Sequence, residues 1–230
     1  MMSKEAMQAE AFRAGEGDAW FRRNQVAMTR RLHDPAQGAL EQVVRDRRPR
    51  SVLDLGCANG YRLGALESRF GPFVRIAGAD ISPEAIAEGR KLHPGYELAV
   101  APIDQLPLAG GFDCVSVCFV MHWIDRLLLS RAVAEIDRMV APGGTLLIAD
   151  FLPDRPTRRR YHHREDVALF TYKQDYALAF EGLGLYARLN RAYFAHGAPE
   201  VRKGDEIPDG DRCAVTVLEK LVEPYREDPA

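Results

Sequence analysis

The sequence predicts an α/β fold: a doubly wound, mostly parallel sheet with an antiparallel C-terminal strand pair and N-terminal helices. Three observations carry the prediction. From Ser51 onward, short apolar runs alternate with amphipathic helical stripes, the pattern of parallel strands joined by right-handed crossovers. Segment 112–119 is apolar almost throughout, as a strand buried on both faces requires. Between the last two strand-like runs, 185–195 and 213–218, lies only the polar stretch 197–211. That is too short for a buried crossover helix, so those strands are expected to pair antiparallel with a long loop.

The elements follow in order. The first fifty residues are charged and helical, punctuated into short helices by Gly15, Gly17, Pro35 and Gly38, with a clear apolar stripe at Leu40, Val43 and Val44. SVLDL at 51–55 is the first strand, followed by a glycine-bearing turn and the helical stripe Leu63, Leu66 and Phe70. VRIAGAD at 74–80 is the second, closed by Ser82-Pro83-Glu84: an N-cap serine, a proline at the first helical position and an acid in the first turn. Strands three and four fall at 96–101 and 112–119. A helix at 126–140, the turn Pro142-Gly143-Gly144 and a fifth strand at 145–150 complete the alternation. Residues 152–166, rich in Pro, Arg and His, read as a loop insertion, and 172–183 as a helix.

Composition narrows the function. The 230 residues are 47% hydrophobic, enough for a proper core, and 31 basic against 33 acidic side chains give a net charge of −2. A dedicated nucleic-acid binder ordinarily carries a basic excess, so nucleic acid is not the expected partner. The most apolar stretch, 114–124, is about half the roughly 20 residues a bilayer span needs, so no membrane is expected either. The first eighteen residues lack the apolar core of a secretory signal, and a cytoplasmic location is expected. The four cysteines, Cys57, Cys114, Cys118 and Cys213, lack metal-ligand spacing and read as buried free thiols, with no metal site.

The decisive constellation is LDLGCANG at 53–60 followed by Asp80. In an open parallel sheet, ligands bind at the carboxyl ends of the strands where strand order reverses. Gly56 permits a sharp turn and Gly60 lets the next helix approach closely. Asp80 lies twenty residues beyond Gly60 at a strand end, where a carboxylate accepts hydrogen bonds from both ribose hydroxyls. A dinucleotide would set its pyrophosphate against this loop and would be repelled by Asp54. S-adenosylmethionine has a ribose, an adenine and an amino group but no phosphate, and suits the acid better.

Over roughly 50–221 the chain resembles the class I S-adenosylmethionine-dependent methyltransferases, of the small-molecule type. The residues that carry the resemblance are VLDLGCANG, the AD at 79–80, DQLPL at 104–108, FDCVSVCFVMHWI at 112–124 and RMVAPGGTLLIAD at 138–150. It implies a Rossmann-like methyltransferase fold in which the loop of Asp54, Gly56, Cys57, Ala58, Asn59 and Gly60 wraps the methionine end of the cofactor. Asp80 would hold the ribose and Ile81 pack on the adenine. The family's usual adenine-capping acid falls at Pro102; Ile103 would offer its N–H to the ring, with Asp104 standing in for the acid. Ala58 replaces the family's common middle glycine. Phe119 would contact the cofactor, and S-adenosylhomocysteine would be the product.

Acceptor chemistry is read more coarsely. His122, just past strand four, is either a general base or a packing residue on the cofactor floor. The insertion carries His162, His163 and a basic patch including Arg159, which either engages an anionic acceptor or is a solvated loop. His163 is a second candidate base. Tyr172 and Lys173, at the start of the next helix, can face the same pocket. Trp20 and Arg23 belong either to a buried helix or to a lid, with Arg23 reaching the methionine carboxylate. The organisation expected is an N-terminal helical lid at 1–48 and a methyltransferase domain at 49–230 with its insertion at about 152–171. The function expected is methyl transfer from S-adenosylmethionine to an O or N atom of a small-molecule acceptor, anionic or a sugar derivative. The alternatives are a non-catalytic nucleoside-binding module and an NAD-dependent oxidoreductase of similar fold. Neither the acceptor nor an oligomeric state is written in the sequence.

Overall fold

A computed structural model of the chain describes residues 7–163 and 168–225. The first six residues of the expected lid and residues 164–167 of the expected insertion lie outside the described residues. Helix α1 (Met7–Ala11), a kinked turn (Phe12–Glu16), α2 (Gly17–Arg31) and α3 (Pro35–Arg47) precede the sheet. The alternating part runs β1 (Ser51–Leu55), α4 (Tyr61–Phe70), β2 (Arg75–Asp80), α5 (Pro83–Leu92), β3 (Glu97–Val100), β4 (Phe112–Cys118), a 3-10 turn (Met121–Trp123), α6 (Leu129–Met139) and β5 (Val140–Phe151). The C-terminal part holds β6 (Thr157–Arg160), β7 (Phe170–Lys173), α7 (Ala177–Glu181), β8 (Tyr186–Ala195), β9 (Val201–Arg202) and β10 (Arg212–Lys220).

The main sheet has the order β3-β2-β1-β4-β5-β10-β8-β9. Strands β1 to β5 are parallel, and β10 runs antiparallel to both β5 and β8. Strand order reverses between β1 and β4, so their carboxyl ends open the crevice where an α/β sheet binds its ligand. Helix starts follow the local chemistry. Ser82 Oγ accepts the Ala85 N–H at 3.0 Å ahead of Pro83, and Asp34 Oδ1 accepts the Gln37 N–H at 2.8 Å ahead of Pro35, each cap worth about 1 kcal/mol.

Strand alternation divides the core. Leu53, Leu55, Val115 and Val117 face α6 and α7, whose Ala132, Ile136 and Phe180 cover them. Val52, Cys114 and Leu147 face the opposite way, against α3 and α4 through Leu40, Val43, Leu63 and Leu66. Helix α3 is therefore a core helix, and only residues 7–31 of the expected lid lie outside the sheet's layers. Phe21 and Met28 of α2 bury their side chains against Ala58 and Ala85. All four cysteines are free, three of them buried and Cys118 partly so.

Two expectations are corrected. The insertion is a β-hairpin rather than a loop, with Arg159 opposite Thr171 and Thr157 opposite Lys173. Tyr172 and Lys173 therefore sit on strand β7, and the helix after them is confined to Ala177–Glu181. Adjacent strand residues point to opposite faces, which separates these two side chains.

Candidate active site

The loop after β1 is tied to the end of β2. The Gly56 and Cys57 N–H groups both donate to the Ala79 carbonyl, at 2.8 and 3.2 Å. Gly56 takes φ 78°, and a Cβ there would stand 2.1 Å from a Val120 methyl, so only glycine fits. Asp80 clamps the turn: its carboxylate accepts the Ala58 N–H at 2.8 Å and the Ser82 N–H at 2.9 Å. Burial pushes its pKa up, opposed by those two N–H groups and that of Ile81. A carboxylate has about four acceptor positions, so these backbone N–H groups still leave capacity for a ligand. Asp80 borders a largely apolar cavity with Gly56, Ile81, Ile103, Asp104 and, from the N-terminal helices, Phe12 and Trp20. An apolar slot with a carboxylate at one end fits a nucleoside, the ring packed between Ile81 and Ile103 and the hydroxyls at Asp80.

A second cavity, of about 320 Å³, adjoins it across Trp20 and Trp123, which border both. That volume is within the range of small-molecule sites. His122, Phe119, Phe151, His196 and Tyr161 give it an aromatic lining, and Arg31, Arg159, Lys173, His162 and His163 a basic one. His122 is 4% exposed, and its Nδ1 lies 2.8 Å from Asp150 Oδ1. Asp150 also accepts the backbone N–H groups of His122 and Phe151, at 3.2 and 2.7 Å. A carboxylate accepting three N–H groups requires the proton on Nδ1, which leaves the Nε2 lone pair as the free edge of the ring. The geometry is that of an oriented base.

Residues 7–31 close over the two cavities. Gln8 donates to the carbonyls of Trp123 and Phe170, at 2.5 and 2.8 Å, and accepts the Phe170 N–H. Buried Glu16 bonds both Arg23 and the Tyr161 hydroxyl, joining α2 to the segment after β6. Asp18 accepts from the Ser82 hydroxyl and the Glu84 N–H, joining α2 to the start of α5.

Comparison with known proteins matches residues 52–144 to the methyltransferase domain family. Residues 52–144 carry a methyltransferase domain, and the fold is shared with solved S-adenosylmethionine-dependent methyltransferases. Among solved structures it is similar to the 1,6-didemethyltoxoflavin-N1-methyltransferase of Burkholderia thailandensis, at TM-score 0.69 and 16% identity, covering 96% of this chain and 92% of that one. In sequence it is 32% identical over 149 residues to the malonyl-[acyl-carrier protein] O-methyltransferase of Enterobacter lignolyticus, 57% of each chain. It is 31% identical over 113 residues to the tRNA (carboxymethyluridine(34)-5-O)-methyltransferase of Saccharomyces cerevisiae, 48% of this chain and 39% of that one. The matched region thus spans less than two thirds of either curated relative, and a tRNA-modifying relative leaves the expected exclusion of nucleic acid without support.

Within the methyltransferase domain, the expected cofactor residues divide. Gly56, Asp80, Ile81, Ile103, Asp104 and Trp20 border the first cavity. Asp104 is buried there, 3.7 Å from Arg131. Cys57, Ala58, Asn59 and Gly60 build the turn without bordering either cavity, and the Asn59 side chain turns away to donate to Glu88 at 2.8 Å. Ala58 holds the left-handed φ of 50° that a glycine would take freely, with its methyl packed under Phe21. Asp54 shares the face of Val52 and points beneath the sheet, where it accepts the Ser116 hydroxyl at 2.6 Å. Burial pushes its pKa up to about 6. It does not face the loop as expected, because strand alternation directs it to the helix side. Phe119 and Arg23 border the second cavity instead of the first, and Arg23 is already paired with Glu16.

The expected acceptor residues converge better. His122, His162, His163, Arg159 and Lys173 all border the second cavity. Tyr172 does not; it faces the other side of the hairpin, under the Arg126 guanidinium at 4.5 Å. The sequence reading missed Asp150, Arg31, Phe151 and His196. An acid closing the run LLIAD was a visible signal for Asp150, a strand-end carboxylate like Asp80. Arg31 and His196 come from α2 and the end of β8, and no spacing in the chain announces their meeting.

Proposed function

We propose that the protein transfers a methyl group from S-adenosylmethionine to an oxygen or nitrogen of a small-molecule acceptor bound in the second cavity. The observation that carries this reading is the junction of the two cavities at Trp20 and Trp123, with the His122–Asp150 pair beside it. When bound, S-adenosylmethionine supplies an already activated methyl on a sulfonium. This chain's residues then need only hold, orient and deprotonate. Asp80 and the isoleucines hold the nucleoside. The covering helices exclude water. His122 Nε2 takes the proton of an acceptor hydroxyl or ammonium, and Asp150 keeps Nδ1–H in place as the imidazolium forms. A small molecule is favoured over nucleic acid because the cavity is roofed by residues 7–31 and the chain has no net basic charge.

The test is turnover with methyl-labelled S-adenosylmethionine against a panel of hydroxyl- and amine-bearing metabolites, anionic ones first, with unmodified tRNA as a separate arm. Label is expected in a metabolite. Label in tRNA alone contradicts the small-molecule reading, and binding without turnover in every arm favours a nucleoside-binding module.

A further inference from the structure

We propose that the second cavity is built for a planar aromatic anion, its ring lying against the cluster of Phe119, Phe151 and His196 and its charge against Lys173 and Arg159. This deepens the methyl-transfer reading and rests on it for the ligand's role as acceptor. The aromatic side chains supply the first half of the argument. Phe119, Phe151 and His196 stand with ring centroids 5.0–5.7 Å apart, the two phenylalanines partly buried and His196 exposed, and all three border the cavity. Phe119 holds φ 58°, a backbone conformation that costs a bulky residue energy and sets its ring at the cavity wall. The three rings pack on one another into a single aromatic wall, and a flat apolar body is what such a wall favours against it.

The charges supply the second half. Arg159 and Thr171 are cross-strand partners on the hairpin, and Lys173 lies two residues beyond Thr171 on the same face. That face borders the cavity, so the two cations stand together at its wall, Arg159 exposed and Lys173 partly buried. Lys173 Nζ sits 3.7 Å from the Phe151 ring centroid, and its hydrogen-bond acceptor is the Gly210 carbonyl at 3.3 Å. Burial first, and then Arg159, lower its pKa, the mark of a cation held beside another cation. Among the described residues neither Lys173 nor Arg159 forms an ion pair. Asp211 is the one carboxylate that joins them at the cavity wall, while Asp150 is engaged by His122 and two backbone N–H groups. Like charges gathered at the wall of a cavity are stabilised by an anion that bridges them. A ring against the aromatics with its carboxylate at Lys173 would keep another edge of the ring toward His122, whose imidazole is 5.1 Å from Phe151.

The chain has two tryptophans, Trp20 and Trp123, and both border this cavity, so intrinsic fluorescence reads its occupancy directly. The full chain is first titrated with S-adenosylhomocysteine and then, at saturation, with benzoate, benzamide, benzylammonium and acetate. Benzoate is expected to give a saturable change at about tenfold lower concentration than benzamide, which has the same shape without the charge. Benzylammonium and acetate, lacking the negative charge and the ring respectively, are expected to bind more weakly than benzoate. Lys173→Gln should weaken benzoate about tenfold while leaving benzamide and S-adenosylhomocysteine unchanged, the latter showing that the variant is folded. Equal binding of benzoate and benzamide, absence of benzoate binding, or unchanged benzoate binding in Lys173→Gln overturns the inference with the methyl-transfer reading intact. Failure of the S-adenosylhomocysteine titration strikes that reading instead, and the ranking of the four probes still decides the charge preference.

Discussion

Asp54 is a carboxylate that the fold has taken out of water. Among the described residues the Ser116 hydroxyl alone bonds its side chain, and burial raises its pKa from 3.8 to about 6. The folded chain therefore holds a proton there that the unfolded chain releases near pH 4. The stability this gives is full below that value and is lost as pH rises through about 6. Asp54→Asn is expected to match the wild type at pH 4 and to be more stable at pH 7 by on the order of 2 kcal/mol. Urea unfolding across pH 4–8 measures the difference, and a gain that does not change with pH contradicts ionisation as its cause. His122 makes the opposite use of a carboxylate. Asp150→Asn can present an amide N–H to Nδ1 and so favour the wrong tautomer, lowering kcat by about 10²-fold or more with cofactor affinity unchanged. His122→Gln should do the same. Full turnover in both variants would mean that positioning alone accounts for the rate.

At the scale of elements, the covering helices are fastened by two small apolar clusters, around Phe12 and around Phe21, and by a few polar contacts over the cavities, apart from the main core. Gln8 reaches Trp123 and Phe170, Glu16 reaches Tyr161, and Gly15 breaks the helix at φ 128° between them. Such a segment opens locally before the sheet does. Trypsin should cut after exposed Arg13, and saturating S-adenosylhomocysteine should slow that cut several-fold by holding Phe12 and Trp20 against the ligand. The same rate with and without ligand contradicts closure. The elements that were legible in the sequence are those whose pattern is set locally. Apolar runs such as SVLDL and TLLIAD can only be strands of a covered sheet, and Ser82-Pro83 can hardly avoid starting a helix. The hairpin β6–β7 was not legible. Its first strand, Thr157–Arg160, is wholly exposed and carries no apolar alternation, so nothing in the residues distinguishes it from a loop. Its second strand merges in sequence with the apolar residues of α7, which made Tyr172 look helical and put it on the wrong face.

Across the whole molecule, the sheet brings one end of every crossover to a single edge, and the covering helices divide that edge into a nucleoside-shaped cavity and a charged, aromatic one. Gly56 and Asp80 were readable because loop and strand end lie within one β-α-β unit. The second cavity was readable only in part, since α2, β4, β5, the hairpin and the end of β8 each contribute to it from distant stretches of chain. The same partition makes the central claim simple to test. Calorimetric titration of S-adenosylhomocysteine into the full chain should give saturable one-to-one binding. Asp80→Asn, which keeps one acceptor oxygen but loses the charge, should weaken it at least tenfold. No saturable heat at millimolar ligand, or equal binding by the Asp80→Asn protein, would contradict the account.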